Sequence, residues 1–161
     1  MSISILVSLC NTPYVTTSPL LCIQFENDIQ GKFSYAPVQL GYPDLVSTAT
    51  GLAYGKGKVF VVFSSKGKFF VSVLREKDLL PLFYQELPEI KDGHSVLAVE
   101  NTLYIVSTGT NEVVSYRIFD NRLGRAQIFW SLDTTKTNTH HINSIAEHNG
   151  DILISAFGPK A

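Results

Sequence analysis

HHINSIAEHNGDILISAFG, residues 140–158, holds two short apolar runs around an Asn-Gly turn. The runs at 142–146 and 152–156 flank His148-Asn149-Gly150-Asp151, and Asn-Gly is the dipeptide that best tolerates the positive φ angles of a tight hairpin. Two earlier segments share this plan. Asp92-Gly93-His94-Ser95-Val96-Leu97 leads through Asn101 into Leu103-Tyr104-Ile105-Val106, and Thr50-Gly51-Leu52-Ala53 leads through Gly55 and Gly57 into Val59-Phe60-Val61-Val62.

The spacing of equivalent positions turns these copies into a fold. From Val59 to Leu103 is 103 minus 59, or 44 residues, and from Leu103 to Ile152 is 152 minus 103, or 49. Such a period is typical of four-stranded propeller blades. Ile5 takes the same position 59 minus 5, or 54, residues before Val59, the excess falling in a loop with two prolines, Pro13 and Pro19. Strands are expected at 3–9, 20–25 and 33–40, then at 52–54, 59–63, 69–74 and 82–87, then at 96–99, 103–107, 113–118 and 128–132, and finally at 142–146 and 152–156. Asn27-Asp28 with Gly31, and Gly41-Tyr42-Pro43-Asp44, mark turns in the first unit. The expected architecture is a single all-β domain over 1–161, made of β-propeller blades of four antiparallel strands: a partial blade 1–44, blades 45–90 and 91–135, and a partial blade 136–161. Small residues at Gly51, Ser95 and Ser144 fit the crowding of inner strands near a propeller axis. A β-sandwich is the alternative, but it gives no reason for four-strand units to repeat in register. Two full and two partial blades fall short of the roughly four to eight of known rings. The chain is therefore expected to be an incomplete part of a larger propeller truncated after Ala161, with self-association through open blade edges, or dimeric completion of a ring, as the alternative.

Composition narrows the classes. A 161-residue chain with 45% hydrophobic residues suits one globular domain with a real core. Thirteen Lys and Arg against fourteen Asp and Glu leave a net charge of -1 with no basic run, which argues against a nucleic-acid partner. The apolar opening 1–7 lacks a positive leading region and turns polar at Asn11-Thr12, so it reads as a strand, not a signal peptide or membrane span, in a cytoplasmic protein. Cys10 and Cys22 are expected as small buried thiols, with no disulfide or zinc framework. The nucleophile elbow, the phosphate-binding loop and the H-E-x-x-H zinc motif are all missing from the sequence.

His141-Ile142-Asn143-Ser144-Ile145, followed by Asn149-Gly150 and by Ile152-Leu153-Ile154-Ser155-Ala156-Phe157-Gly158, resembles the H-[IL]-N-[SG]-[IL] blade signature of propeller families of unknown function. Leu6-Val7-Ser8-Leu9-Cys10-Asn11-Thr12 is similar to the opening of the same group. More distantly, the Asn143 context is similar to the asparagine-bearing blades of gluconolactonase and regucalcin relatives, and His140-His141 with Asn149-Gly150 to a blade of arylsulfotransferases. The lactonase-like resemblance implies a divalent metal held by a glutamate near the chain start and by asparagine and aspartate of later blades, of which Asn143 is the position matched here.

The repeat alignment supplies a candidate site. Asp92 aligns with His141, and His94 with Asn143, each pair expected just before an innermost strand, where propeller ligands gather at the channel mouth. Asp, His and Asn can hold a divalent metal, or a neutral imidazole can serve as general base with Asp orienting it. The plain structural reading has His94 and His141 donating to backbone carbonyls while Asp92 and Asn143 cap turns. His148 reads as solvated, His140 as a mouth or loop residue, residues 134–139 as an exposed connection, and Trp130, Phe129, Phe69, Phe70, Tyr104 and Tyr116 as core. The favoured function is a binding or interaction domain for a small-molecule or protein ligand. A metal-dependent, lactonase-like hydrolase and an arylsulfotransferase-like transferase using His141 or His94 are the alternatives.

Overall fold

Val59, Phe60, Val61, Val62 and Phe63 are all buried, which a strand achieves only when both of its faces are covered. Phe60 and Val62 belong to one apolar cluster and Val59, Val61 and Phe63 to another, so the period-two alternation of the strand feeds two cores at once. The computed structural model describes residues 3–10, 18–25, 33–44, 46, 48–132 and 138–158.

Four antiparallel sheets follow one another along the chain. The first contains β1 (Ile3–Ser8), β2 (Leu20–Phe25) and β3 (Phe33–Pro37). The second contains β4 (Thr48–Gly55), β5 (Lys58–Ser65), β6 (Lys68–Arg75) and β7 (Pro81–Glu86). The third contains β8 (Gly93–Val99), β9 (Thr102–Ser107), β10 (Glu112–Arg117) and β11 (Gln127–Ser131). The last is the hairpin of β12 (Ile142–His148) and β13 (Asp151–Ala156). In every sheet each strand pairs with the next one in sequence. The all-β expectation holds: among the described residues there is no α-helix, and the only helical turn is the 3-10 segment Thr108–Thr110.

Local chemistry sets the hairpins. Lys56-Gly57, Lys66-Gly67 and Asn149-Gly150 all have positive φ at both residues, the pattern whose twist matches antiparallel strands. Glycine meets the second of these positions without the Cβ penalty that other residues incur.

The cores lie between successive sheets. One cluster joins β2, β4, β5 and β6 through Leu20, Ala49, Val61 and Phe70. A second joins β5 and β6 to β8, β9 and β10 through Phe60, Val73, Val96, Ile105 and Val114. A third joins β9 and β10 to β12 through Val106, Val113, Ile142 and Ile145. Each fully buried side chain of this size contributes about 1.5–3 kcal/mol relative to exposure. The first strands β4, β8 and β12 lie side by side, although no ladder of hydrogen bonds joins them.

Several expectations need correction. β4 begins at Thr48 and β8 at Gly93, several residues before the expected starts, because each first strand continues through a bulge: the register shifts between Ala49 and Gly51, between Gly93 and Val96, and between Ile142 and Ser144. The third strand stops at Pro37 because its partner β2 begins at Leu20: Pro37 pairs with Leu21, and Val38 N makes the last bond, to the Leu20 carbonyl at 2.8 Å. Cys10, beyond the end of β1, is exposed, and Cys22 is half-buried against the apolar cluster that includes Leu20 and Val61, both as free thiols. Phe129 is 47% exposed on the edge strand β11, although its ring meets Tyr104 edge to face, whereas Phe70 and Tyr116 are buried as expected. The proline loop at 11–17, the turn at 26–32 and most of the connection at 134–139 lie outside the described residues. Thr139, at the end of that connection, is half-buried and accepts a hydrogen bond from Asn111 Nδ2 at 2.6 Å.

Candidate functional site

A β-bulge adds a residue to one strand and re-aims its side chain, and three bulges occur at corresponding points of β4, β8 and β12. They carry Thr50, His94 with Ser95, and Asn143. His94 and Asn143 therefore sit inside their strands, not ahead of them as the repeat alignment suggested. Asp92 and His141, each immediately before its strand, take left-handed backbone with φ of 53° and 47°. Asp and His are among the few non-glycine residues enriched in that region.

The structure brings three of the four together. Asp92 Oδ1 lies 3.4 Å from His94 Nε2, and the His94 and His141 rings meet edge to face with centroids 5.2 Å apart. Phe157 adds a tilted ring 5.8 Å from His141, and its N–H donates to the His141 carbonyl at 3.5 Å. Asn143 is held differently: its Oδ1 accepts from Ser155 Oγ at 3.2 Å, its one hydrogen-bond partner among the described residues. The Asp92 and His94 side chains are 51% and 32% exposed, so the cluster is an open surface feature. Among the described residues neither imidazole donates to a backbone carbonyl, the arrangement the plain structural reading required.

Close packing positions these groups. A Cβ on Gly51 would lie 2.5 Å from the His94 carbonyl oxygen, so β4 presses against the backbone of β8 beside the histidine. On the other flank Ser95 Oγ accepts from Ile145 N at 3.4 Å, and Thr108 Oγ1 donates to the Ile142 carbonyl. Thr108 N in turn donates to the Asp92 carbonyl at 3.1 Å, tying the 3-10 turn to the residue before β8. Thr50, at the corresponding bulge of β4, has a buried Oγ1 without a hydrogen-bond partner among the described residues.

The chemistry available is that of a carboxylate, two imidazoles and an aromatic edge. Such a set can donate to and accept from a polar ligand, and an imidazole beside a carboxylate can exchange a proton. Among the described residues no three His, Cys, Asp or Glu side chains are grouped so as to hold a metal ion, Asp92, His94 and His141 included. Nor is any helix among them long and apolar enough to cross a membrane. His148 is exposed beside Asn149 as expected, and His140 is a loop residue with Nδ1 2.9 Å from Thr139 Oγ1. Sequence reasoning missed Phe157 and Ser155, because their partners lie across the β12–β13 pairing. The hairpin signal placed the strands but not which side chains meet across them. No family model matches the chain, and no curated protein matches it.

Proposed function

We propose that the chain is a propeller-type binding domain of the cytoplasm that takes a polar small molecule or peptide group at the mouth formed by its first strands. The observation that carries this reading is the meeting of His94 and His141 across β8 and β12, two strands that share no hydrogen-bond ladder. Side-by-side first strands, each bulged at the same point, are what radially arranged blades require, and Asp92, His94 and His141 then face one opening. Two free thiols agree with a reducing compartment. The resemblance of residues 141–158 to propeller blades supports the same reading.

The test is a nuclear magnetic resonance screen of the full chain with polar solutes: sugars, sugar acids, amino acids and short carboxylate-bearing peptides. A ligand of the proposed kind shifts the His94 and His141 imidazole signals together and loses its affinity in His141→Ala. Ligands that bind while moving only signals elsewhere, or a screen in which neither imidazole responds, would overturn the reading.

A further inference from the structure

Four arginines occur in the sequence, and three of them, Arg117, Arg122 and Arg125, fall within nine residues at the β10–β11 connection. The fourth, Arg75, is held by Asp78 at 2.8 Å. None of the three clustered guanidiniums is paired with a carboxylate among the described residues. Arg117 and Arg122 instead lie against the Phe119 ring, 5.7 and 5.3 Å from its centroid. Guanidinium groups left without carboxylates at one place in a protein of net charge -1 form a local excess of positive charge that favours an anion.

The segment that carries them is pinned. Ile118 and Leu123 form an isolated bridge and are buried in the core between the second and third sheets. Ile118 N donates to the Asn101 carbonyl at 2.7 Å, Leu123 N to Gln85 Oε1 at 2.9 Å, and Gly124 N to the Arg117 carbonyl at 2.8 Å. A Cβ at Gly124 would meet Phe119 Cε2 at 3.2 Å, so the glycine lets the aromatic ring lie close over the hairpin. Arg117, Phe119, Arg122 and Arg125 are thus exposed groups on an anchored frame, the arrangement that lowers the ordering cost of binding.

The frame borders a half-open cavity of about 460 Å³, within the range of small-molecule sites. Arg117 and Arg125 line it together with the hydroxyl residues Thr102 and Ser115 and with Phe119. The register explains the grouping: Arg117 pairs with Thr102, and Ser115, two residues earlier, lies on the same face of β10. Lys58 lies outside the lining: its Nζ is paired with Asp120 of the hairpin tip at 3.6 Å and donates to the Phe119 carbonyl at 3.5 Å.

We infer that this cavity is a second binding site, for a small phosphate ester. Arginine forks bind phosphate oxygens in pairs, the Thr102 hydroxyl is placed to donate to a remaining oxygen while Ser115 Oγ donates to the Gln127 carbonyl at 3.3 Å, and the Phe119 ring offers a surface for an organic body. The site lies at the far end of the third sheet from His94, roughly 20 Å away at about 3.3 Å per strand residue. It is independent of the histidine cluster.

The test is a chemical-shift titration of the full chain at fixed ionic strength with phenyl phosphate, inorganic phosphate and benzoate. Phenyl phosphate should saturate shifts confined to residues 101–102 and 115–127, inorganic phosphate should compete more weakly, and benzoate should be weakest. Arg117→Gln and Arg125→Gln should each lower the phenyl phosphate affinity about tenfold or more, while Arg75→Gln and His94→Ala leave it unchanged. Equal binding of phenyl phosphate and inorganic phosphate would assign the site to free phosphate and overturn the ester. Binding of benzoate as tight as that of phenyl phosphate would overturn the phosphate class. Unsaturable shifts, or equal losses in Arg75→Gln, would reduce the site to general charge attraction and overturn it entirely.

Discussion

The imidazoles of His94 and His141 meet edge to face at 5.2 Å and 75°, although they come from the starts of two different sheets. Because β8 and β12 share no ladder, the contact depends on side-chain packing and on the Ser95 Oγ bond to Ile145 N. The two residues should therefore be coupled energetically. In a double-mutant cycle of His94→Ala, His141→Ala and the double variant, urea unfolding should give an interaction energy of about 0.5 kcal/mol. Strict additivity would mean that the rings are neighbours without consequence for each other.

Gly51 makes the same packing testable from the opposite flank. The Cβ of Gly51→Ala would meet the His94 carbonyl at 2.5 Å and Val96 Cγ1 at 3.0 Å, and a carbonyl in a sheet cannot rotate away as a side-chain tip can. The substitution should cost about 1–3 kcal/mol, the usual range for overpacking. It should also displace His94, so the His94 imidazole resonance moves in the folded variant while that of the exposed His148 does not. A neutral variant with both signals unmoved would show that β4 and β8 are less crowded than the distance implies.

Much of the strand pattern was legible because it rests on local rules. The buried run 59–63 and the Lys-Gly and Asn-Gly turns announce strands and hairpins through burial and backbone preference alone. Asp92, His94 and His141 were grouped in the sequence because they align next to first strands, and their side chains do lie together. The bulges were not legible, since a register shift of one residue depends on what lies across the sheet, and so His94 and Asn143 were expected ahead of their strands. Asn143 was grouped with the histidines for the same reason, whereas its partner is Ser155, twelve residues on and across a hairpin. The arginine cavity has a sequence signal, three arginines between 117 and 125, but net charge conceals it, and only the folded hairpin brings Arg117 and Arg125 to one space while Arg122 lies against the Phe119 ring.

Asp92 combines a left-handed backbone with a carboxylate near His94, and the two roles can be separated. Alanine lacks the local polar compensation that makes this region accessible, so Asp92→Ala should lower stability by about 1 kcal/mol. Asp92→Gly should recover that loss, because glycine takes φ of 53° without a Cβ penalty, yet it removes the carboxylate. Equilibrium unfolding of the pair would distinguish the contributions. If Gly and Ala are equally destabilising, the carboxylate and not the backbone is what the position requires.

Tyr116 provides a pH test of the core between the second and third sheets. Its side chain is buried, and its hydroxyl donates to Glu89 Oε2 at 3.3 Å. Burial first, and then the neighbouring carboxylate, push the phenol well above its ordinary value near 10, since both disfavour a phenolate. With the folded value raised above the unfolded one, the stability contributed by the neutral phenol is fully present below about pH 10 and is lost as pH climbs beyond it, because the unfolded chain gives up the proton that the folded chain retains. The loss from this one group approaches about 1.4 kcal/mol per pH unit. Tyr116→Phe keeps the ring, gives up a hydrogen bond contributing about 1 kcal/mol at pH 7, and removes this proton from the balance. Urea unfolding at pH 7, 10 and 11 should show the wild type falling more steeply than the variant, and absorbance at 295 nm should show one of the seven tyrosines failing to ionise before the protein unfolds. Parallel stability curves through pH 11 would mean that water reaches the Tyr116 hydroxyl, and that the core is open where Glu89 meets it.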